Sequence, residues 1–142
     1  MRDRKIWVTS DTHFNHSNII KYCARPFNSS EEMDEKLIEN WNSVVEDQDI
    51  VYHLGDVYMG NHDTGHTSPN KGGYIESVLG RLKGRKRLIL GNHDNGKDQI
   101  LQRNFQKISM WRMFPEFGIL LTHVPVHIAS LKERLGDSSK RQ

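Results

Sequence analysis

RLILGNHD, residues 87–94, is an apolar run that stops at a glycine and then presents an amide, an imidazole and a carboxylate in succession. A short run of this kind, bounded by charge on one side and glycine on the other, reads as a buried strand delivering polar side chains to a loop. The same pattern recurs in IWVTSDTH at 6–13, DIVYHLGD at 49–56 and ILLTH at 119–123. Ligands of α/β sheets gather beyond the carboxyl ends of strands. Four such ends converging in one crevice would bring together Asp11, His13, Asp56, Asn92 and His123.

The segments between these runs have helical character. In SSEEMDEKLIENWNSVV, residues 29–45, Ser29 and Glu32 stand at capping-box spacing, and Met33, Leu37, Trp41 and Val44 form an apolar stripe at helical intervals. NHSNIIKYC at 15–23 reads as a short helix or turn. A polar, glycine-rich stretch from Asn61 to Gly73 precedes a helix carrying Ile75, Val78, Leu79 and Leu82 and stopped near Gly84. A further helix holds Ile100, Leu101 and Phe105, and ISMWRMF and FGILLTH flank Pro115 and Glu116 as a hairpin whose second strand ends at His123. Strands alternating with helices predict a layered α/β domain with parallel neighbours and one antiparallel hairpin. A chain of 142 residues holds one such domain, expected over residues 1–135, with 136–142 as a polar tail.

Composition narrows the chemistry. Cys23 is the single cysteine, so an intrachain disulfide is excluded and any metal would be held by His, Asp, Asn and water, as expected of a cytoplasmic protein. No window approaches the roughly 18 consecutive apolar residues of a membrane span. The formal net charge of +2 does not by itself argue for nucleic acid. Eight histidines without a cysteine partner direct attention to metal spacing.

Each candidate has an ordinary alternative: Asp11 as a helix cap, Asp56 and Asn92 as turn formers, His123 as a hydrogen-bonded strand end. A lone Asp-x-His is weak evidence; four strand ends in order are strong. Residues two apart in an extended segment face the same side, so Asp11 and His13 are expected to address one cation together. Gly55 and Gly91, just before Asp56 and Asn92, allow close backbone approach. His16 reads as a helix-entry residue, His53 as packed or hydrogen-bonded, and His127 as a support for His123. The basic cluster RLKGRKR, residues 81–87, reads as a solvated helix end and strand entry that could also concentrate a polyanionic substrate.

With these residues in order, the chain resembles the calcineurin-like metallophosphoesterases. The resemblance runs through DTH at 11–13, GD at 55–56, GNHD at 91–94 and TH at 122–123. The longer stretches DTHFNHSNIIKYCARPF, YHLGDV and LTHVPVH are similar to small bacterial and phage members. It implies a layered β-sandwich flanked by helices and hydrolysis of phosphomonoesters or phosphodiesters at a two-metal site. Asp11 and His13 would hold one ion, Asn92 and His123 the other, with Asp56 bridging, His93 as the acid for the leaving oxygen and Asp94 hydrogen-bonded to His93 to orient it. Two divalent cations are implied, Mn²⁺ first, with Fe, Ni²⁺ and Zn²⁺ also suited to such ligands. The implied partner is a phosphoester, with nucleotide and nucleic acid among the candidates.

The family pattern continues to a terminal GHxH that supplies one further His to each metal, and this motif does not follow the TH of this chain. Three accounts remain: a truncated domain with weakened metal binding, which is preferred; completion by another polypeptide; or replacement by water or by His62 and His66, in a segment where GHTS at 65–68 mimics the motif. A noncatalytic metal- or nucleic-acid-binding protein is the rival function. A second GNHD, at 60–63, lies four residues after Asp56 in a polar loop and reads as coincidence.

Overall fold

The structure, a computed structural model, describes residues 3–59 and 71–126. Four strands, β1 (Ile6–Thr9), β2 (Ile50–His53), β3 (Arg85–Ile89) and β4 (Lys107–Ser109), form one parallel sheet in sequential order. Helices α1 (Ser17–Tyr22) and α2 (Ser30–Val44) connect β1 to β2, α3 (Lys71–Arg81) lies between β2 and β3, and α4 (Gln99–Asn104) between β3 and β4. An antiparallel hairpin of β5 (Arg112–Phe114) and β6 (Ile119–Leu121), turned by a 3-10 segment at Pro115–Phe117, completes the described fold.

Helix boundaries follow local chemistry. Ser29 caps α2 by accepting from the Glu32 backbone N–H at 3.1 Å, while Glu32 Oε2 accepts from Asn28 N at 2.8 Å, one residue before the reciprocal partner of a full capping box. Asp98 caps α4, accepting from Ile100 N at 2.8 Å. The stripe on α2 differs from expectation at its end. Val44 is exposed and Val45, just past the helix, is buried, because the chain turns extended there and swings the next side chain inward. Similarly, α3 begins at Lys71, so Gly72 and Gly73 belong to its first turn instead of the preceding loop.

Register divides the sheet into two faces. Val51 and Leu88 pack with Ile38, Trp41, Ile75, Val78, Leu79, Leu101 and Phe105 in the larger core, so the helices cover this face. Tyr52 and Ile89 meet Phe114 and Leu121 of the hairpin on the other. The result is a helix–sheet–hairpin stack, the expected layered α/β arrangement. Beyond the hairpin, Ile6 and Val8 of β1 share the second face by register with Ile50 and Tyr52 and are 50% and 52% exposed. The predicted hairpin is shorter than read: ISMWRMF divides, with Ile108 and Ser109 in the parallel sheet and Arg112 to Phe114 in the hairpin, and β6 stops at Leu121.

Candidate metal centre

Three parallel strands and the hairpin end on the same crowded junction. Gly55, at φ +104°, follows β2 in a conformation costly to other residues, and a Cβ there would stand 2.4 Å from Gly91 N. Asp11 N donates to Gly55 O at 2.9 Å and His13 N to Asp56 O at 3.1 Å, stitching the loop after β1 to the loop after β2. Asp11, His13 and Asp56 all adopt positive φ, between 50° and 55°. Non-glycine residues adopt this conformation uncommonly, Asp and His more readily than most, and such residues concentrate at functional sites.

The positive φ angles correct one expectation. β1 ends at Thr9, so Asp11 and His13 do not converge through strand alternation; two left-handed residues turn both side chains inward instead. His13 Nε2 stands 3.6 Å from Asp11 Oδ1 and 3.8 Å from Asp56 Oδ2. His123 Nε2 stands 3.7 Å from Asp56 Oδ1. Donor atoms of Asp11, Asp56 and His123 lie within 4.8 Å of one another, and Asn92 Oδ1 is 2.8 Å from His123 Nε2. All five residues read from the sequence as a ligand set therefore meet around Asp56.

His123 Nδ1 donates to the Leu54 carbonyl at 2.6 Å, so a neutral imidazole turns the lone pair of Nε2 toward Asn92 Oδ1. A proton, a shared cation or exchange of the Asn92 amide oxygen and nitrogen satisfies this pair. Carboxylate, amide oxygen and imidazole nitrogen together suit a divalent transition metal. Burial holds the His13 imidazole below its usual pKa, against the pull of the Asp56 carboxylate, which favours the neutral form that ligates metal. Burial alone would raise Asp56, but hydrogen bonds from the ring and backbone of His93 outweigh it and keep the carboxyl ionised.

His93 and Asp94 occupy different positions from those expected. His93 Nδ1 pairs with Asp56 Oδ2 at 2.8 Å, and this bond raises the imidazole pKa. Asp94 accepts from three backbone N–H groups: Asp56 and Gly91 at 2.8 Å, and Val57 at 3.0 Å. Its oxygens bind the two loops together, and the expected Asp94–His93 hydrogen bond is replaced by His93–Asp56. Asp94 lies three residues from Gly91, where a turn closes onto the N–H groups of both strand ends.

Three further residues support the site without having been assigned from the sequence. Arg25 donates to the carbonyls of Asp11 and Thr12 at 2.8 and 3.0 Å, and buried Asp34 accepts from Asn15 N at 2.9 Å, so both fix the loop after β1. Thr12 Oγ1 donates to Val57 O at 2.7 Å and accepts from His53 Nε2 at 2.9 Å. Arg25 stands inside DTHFNHSNIIKYCARPF, where an arginine after a short helix was the available signal. His53 is packed and hydrogen-bonded as read, and His16 sits at the entry of α1 with its ring centroid 5.5 Å from that of His13. Within the basic cluster, Arg81 pairs with Glu35, Lys86 donates to Leu82 O and Arg87 to Tyr52. Residues 62, 66 and 127, with the GNHD at 60–63, lie outside the described residues.

A parallel sheet with an Asp, His and Asn cluster beyond its strand ends defines a layered α/β domain with a candidate metal site. The chain belongs to the calcineurin-like phosphoesterase family, whose sequence profile matches residues 4–135. It is 46% identical over 112 residues to the uncharacterized protein MJ1445 of Methanocaldococcus jannaschii, covering 78% of this chain and 59% of that one. It is 37% identical to the gene 66 protein of Mycobacterium phage L5, covering 76% of this chain and 48% of the phage protein. A solved protein of unknown function, AQ665 from Aquifex aeolicus, superposes with a TM-score of 0.69 at 30% identity, covering 88% of this chain and 63% of that structure. The chain thus spans about two-fifths to three-fifths of the length of the curated relatives it matches. Among the described residues no helix is long and apolar enough to cross a membrane.

Proposed function

We propose that the chain is a metal-dependent hydrolase of phosphomonoesters or phosphodiesters. The observation that carries this reading is the approach of His13, His93 and His123 to the single carboxylate of Asp56, each within 3.8 Å, from three different segments. Asp11 and His13 would hold one divalent cation, Asn92 and His123 a second, and Asp56, with an oxygen toward each side, would bridge them. Mn²⁺ is the first candidate. Bound cations supply Lewis-acid polarisation of the phosphoryl group and lower the pKa of water.

The remaining work falls to the protein. Arg25 and Asp34 hold the loop that carries Asp11 and His13, and Asp94 holds the backbone that carries Asp56 and Asn92. His93, its Nδ1 directed to Asp56, leaves Nε2 as the nitrogen that protonates the departing alkoxide or aryloxide.

The test is hydrolysis of an aryl phosphodiester and an aryl phosphomonoester by the full chain with Mn²⁺. Turnover that disappears in His93→Ala while the metal stays bound supports the reading. Full metal occupancy without turnover in the wild type would favour the noncatalytic binder instead.

A further inference from the structure

A cavity of about 460 Å³ lies on the hairpin side of the sheet, lined by none of the metal-site residues, with a volume in the range of small-ligand sites. Arg87, Lys107 and Arg112 line it, and none of its lining residues carries a carboxylate. Arg85 shares this sheet face by register, since it pairs with Ile50 as Arg87 pairs with Tyr52. The basic cluster read from the sequence therefore continues into a concave surface.

Two of the three cations are held by aromatic neighbours. Arg87 Nη1 donates to Tyr52 Oη at 2.7 Å and its guanidinium lies 5.5 Å from the Tyr52 ring centroid. Arg112 stacks 4.9 Å from the Phe114 centroid. Between them the rim is apolar and exposed: Met110 is 66%, Trp111 48% and Met113 44% accessible. A phosphate alone would leave this rim unsatisfied, and an apolar ligand would leave three cations desolvated beside it. A flat anionic membrane matches the charge and the tryptophan but does not fill a cavity.

A phosphate joined to a planar aromatic ring satisfies both parts, with the phosphate among the cations and the ring on Trp111. We infer that this cavity binds a nucleoside phosphate, either as a mononucleotide or as one unit of a single-stranded nucleic acid. Leu90 N donates to Ser109 O at 2.9 Å, joining the cavity wall to the loop that carries Asn92 and His93. The inference names a substrate class for the hydrolase reading; it is tested without metal, so its failure is separate from failure of catalysis.

The experiment is fluorescence anisotropy of a labelled oligothymidylate with the full chain in EDTA, between about 50 and about 200 mM salt. Lys107→Glu with Arg112→Glu is expected to weaken binding more than about tenfold and to flatten the salt dependence by roughly two phosphate contacts. Trp111→Ala is expected to weaken it about tenfold through lost stacking. Lys36→Glu, on the exposed face of α2, should leave binding unchanged. If the glutamate pair fails to fold, Lys107→Ala with Arg112→Ala reports the same loss.

Competition by thymidine monophosphate identifies the mononucleotide form, and competition only by the oligomer identifies the strand; either supports the inference. Unchanged affinity in the charge variants would overturn it. So would equal competition by inorganic polyphosphate with no effect of Trp111→Ala, or preferential binding to phosphatidylserine vesicles lost in the same variants.

Discussion

Gly91 lies so close to Asp56 that a Cβ at position 91 would stand 2.2 Å from Asp56 Oδ1 and 2.4 Å from Asp56 N. The contact is with backbone and with the carboxylate at the centre of the site, neither of which can step aside cheaply. Gly91→Ala should therefore cost about 2–4 kcal/mol of stability and at least tenfold in metal affinity, within the range of overpacked sites. Gly80→Ala, in α3 where nothing lies within 4 Å of the added carbon, should instead raise stability by up to about 1 kcal/mol. Thermal denaturation in EDTA and Mn²⁺ titration of both variants measure the opposite signs.

Asp94 and His93 are adjacent in sequence but separable in effect. Asp94→Ala leaves the N–H groups of Asp56, Val57 and Gly91 without their acceptor, a loss on the order of 2–4 kcal/mol that should also loosen metal binding. His93→Ala removes one ring hydrogen bond to Asp56 and should lower turnover by about a hundredfold or more, while costing metal affinity and stability less than Asp94→Ala. Calorimetric Mn²⁺ titration alongside urea unfolding distinguishes them, and equal metal affinity in the two variants would contradict the tie assigned to Asp94.

His53 sets a pH dependence of stability. Complete burial pushes its imidazole down to about 4 from an ordinary 6.5. The unfolded chain then binds the proton more tightly, so the stabilising contribution is fully present above pH 6.5 and is lost as pH falls toward 4. The difference amounts to roughly 3 kcal/mol. His53→Gln, whose amide can still accept from Gly55 N and donate to Thr12 Oγ1, should flatten the urea-unfolding curve against pH by that amount across this window. An unchanged slope would show that other groups carry it.

Strands β1 to β3 and helices α2 and α3 were legible in the sequence because each of these apolar runs ends at a glycine or a polar cluster and each of these helices has a periodic stripe. Met33 and Trp41 on α2, and Val78 and Leu79 on α3, are buried as their spacing requires. The split of ISMWRMF was not legible, since β-branched and aromatic residues fit the parallel edge and the hairpin equally. Asp11, His13, Asp56, Asn92 and His123 converge as their strand-end positions suggested, but Asp11 and His13 do so through left-handed backbone that no side-chain period encodes. The partners of Asp94 and Arg25 are backbone groups distant in sequence, which residue types cannot reveal.

The convergence on Asp56 is the feature on which the proposed chemistry rests. Equilibrium dialysis of the full chain against Mn²⁺, with metal counted by atomic emission, compares the wild type with Asp56→Asn. Two ions per wild-type chain at saturating Mn²⁺, reduced to fewer than one in Asp56→Asn, is the predicted result. Fewer than one ion in the wild type, or equal occupancy in the two proteins, would contradict the two-cation site.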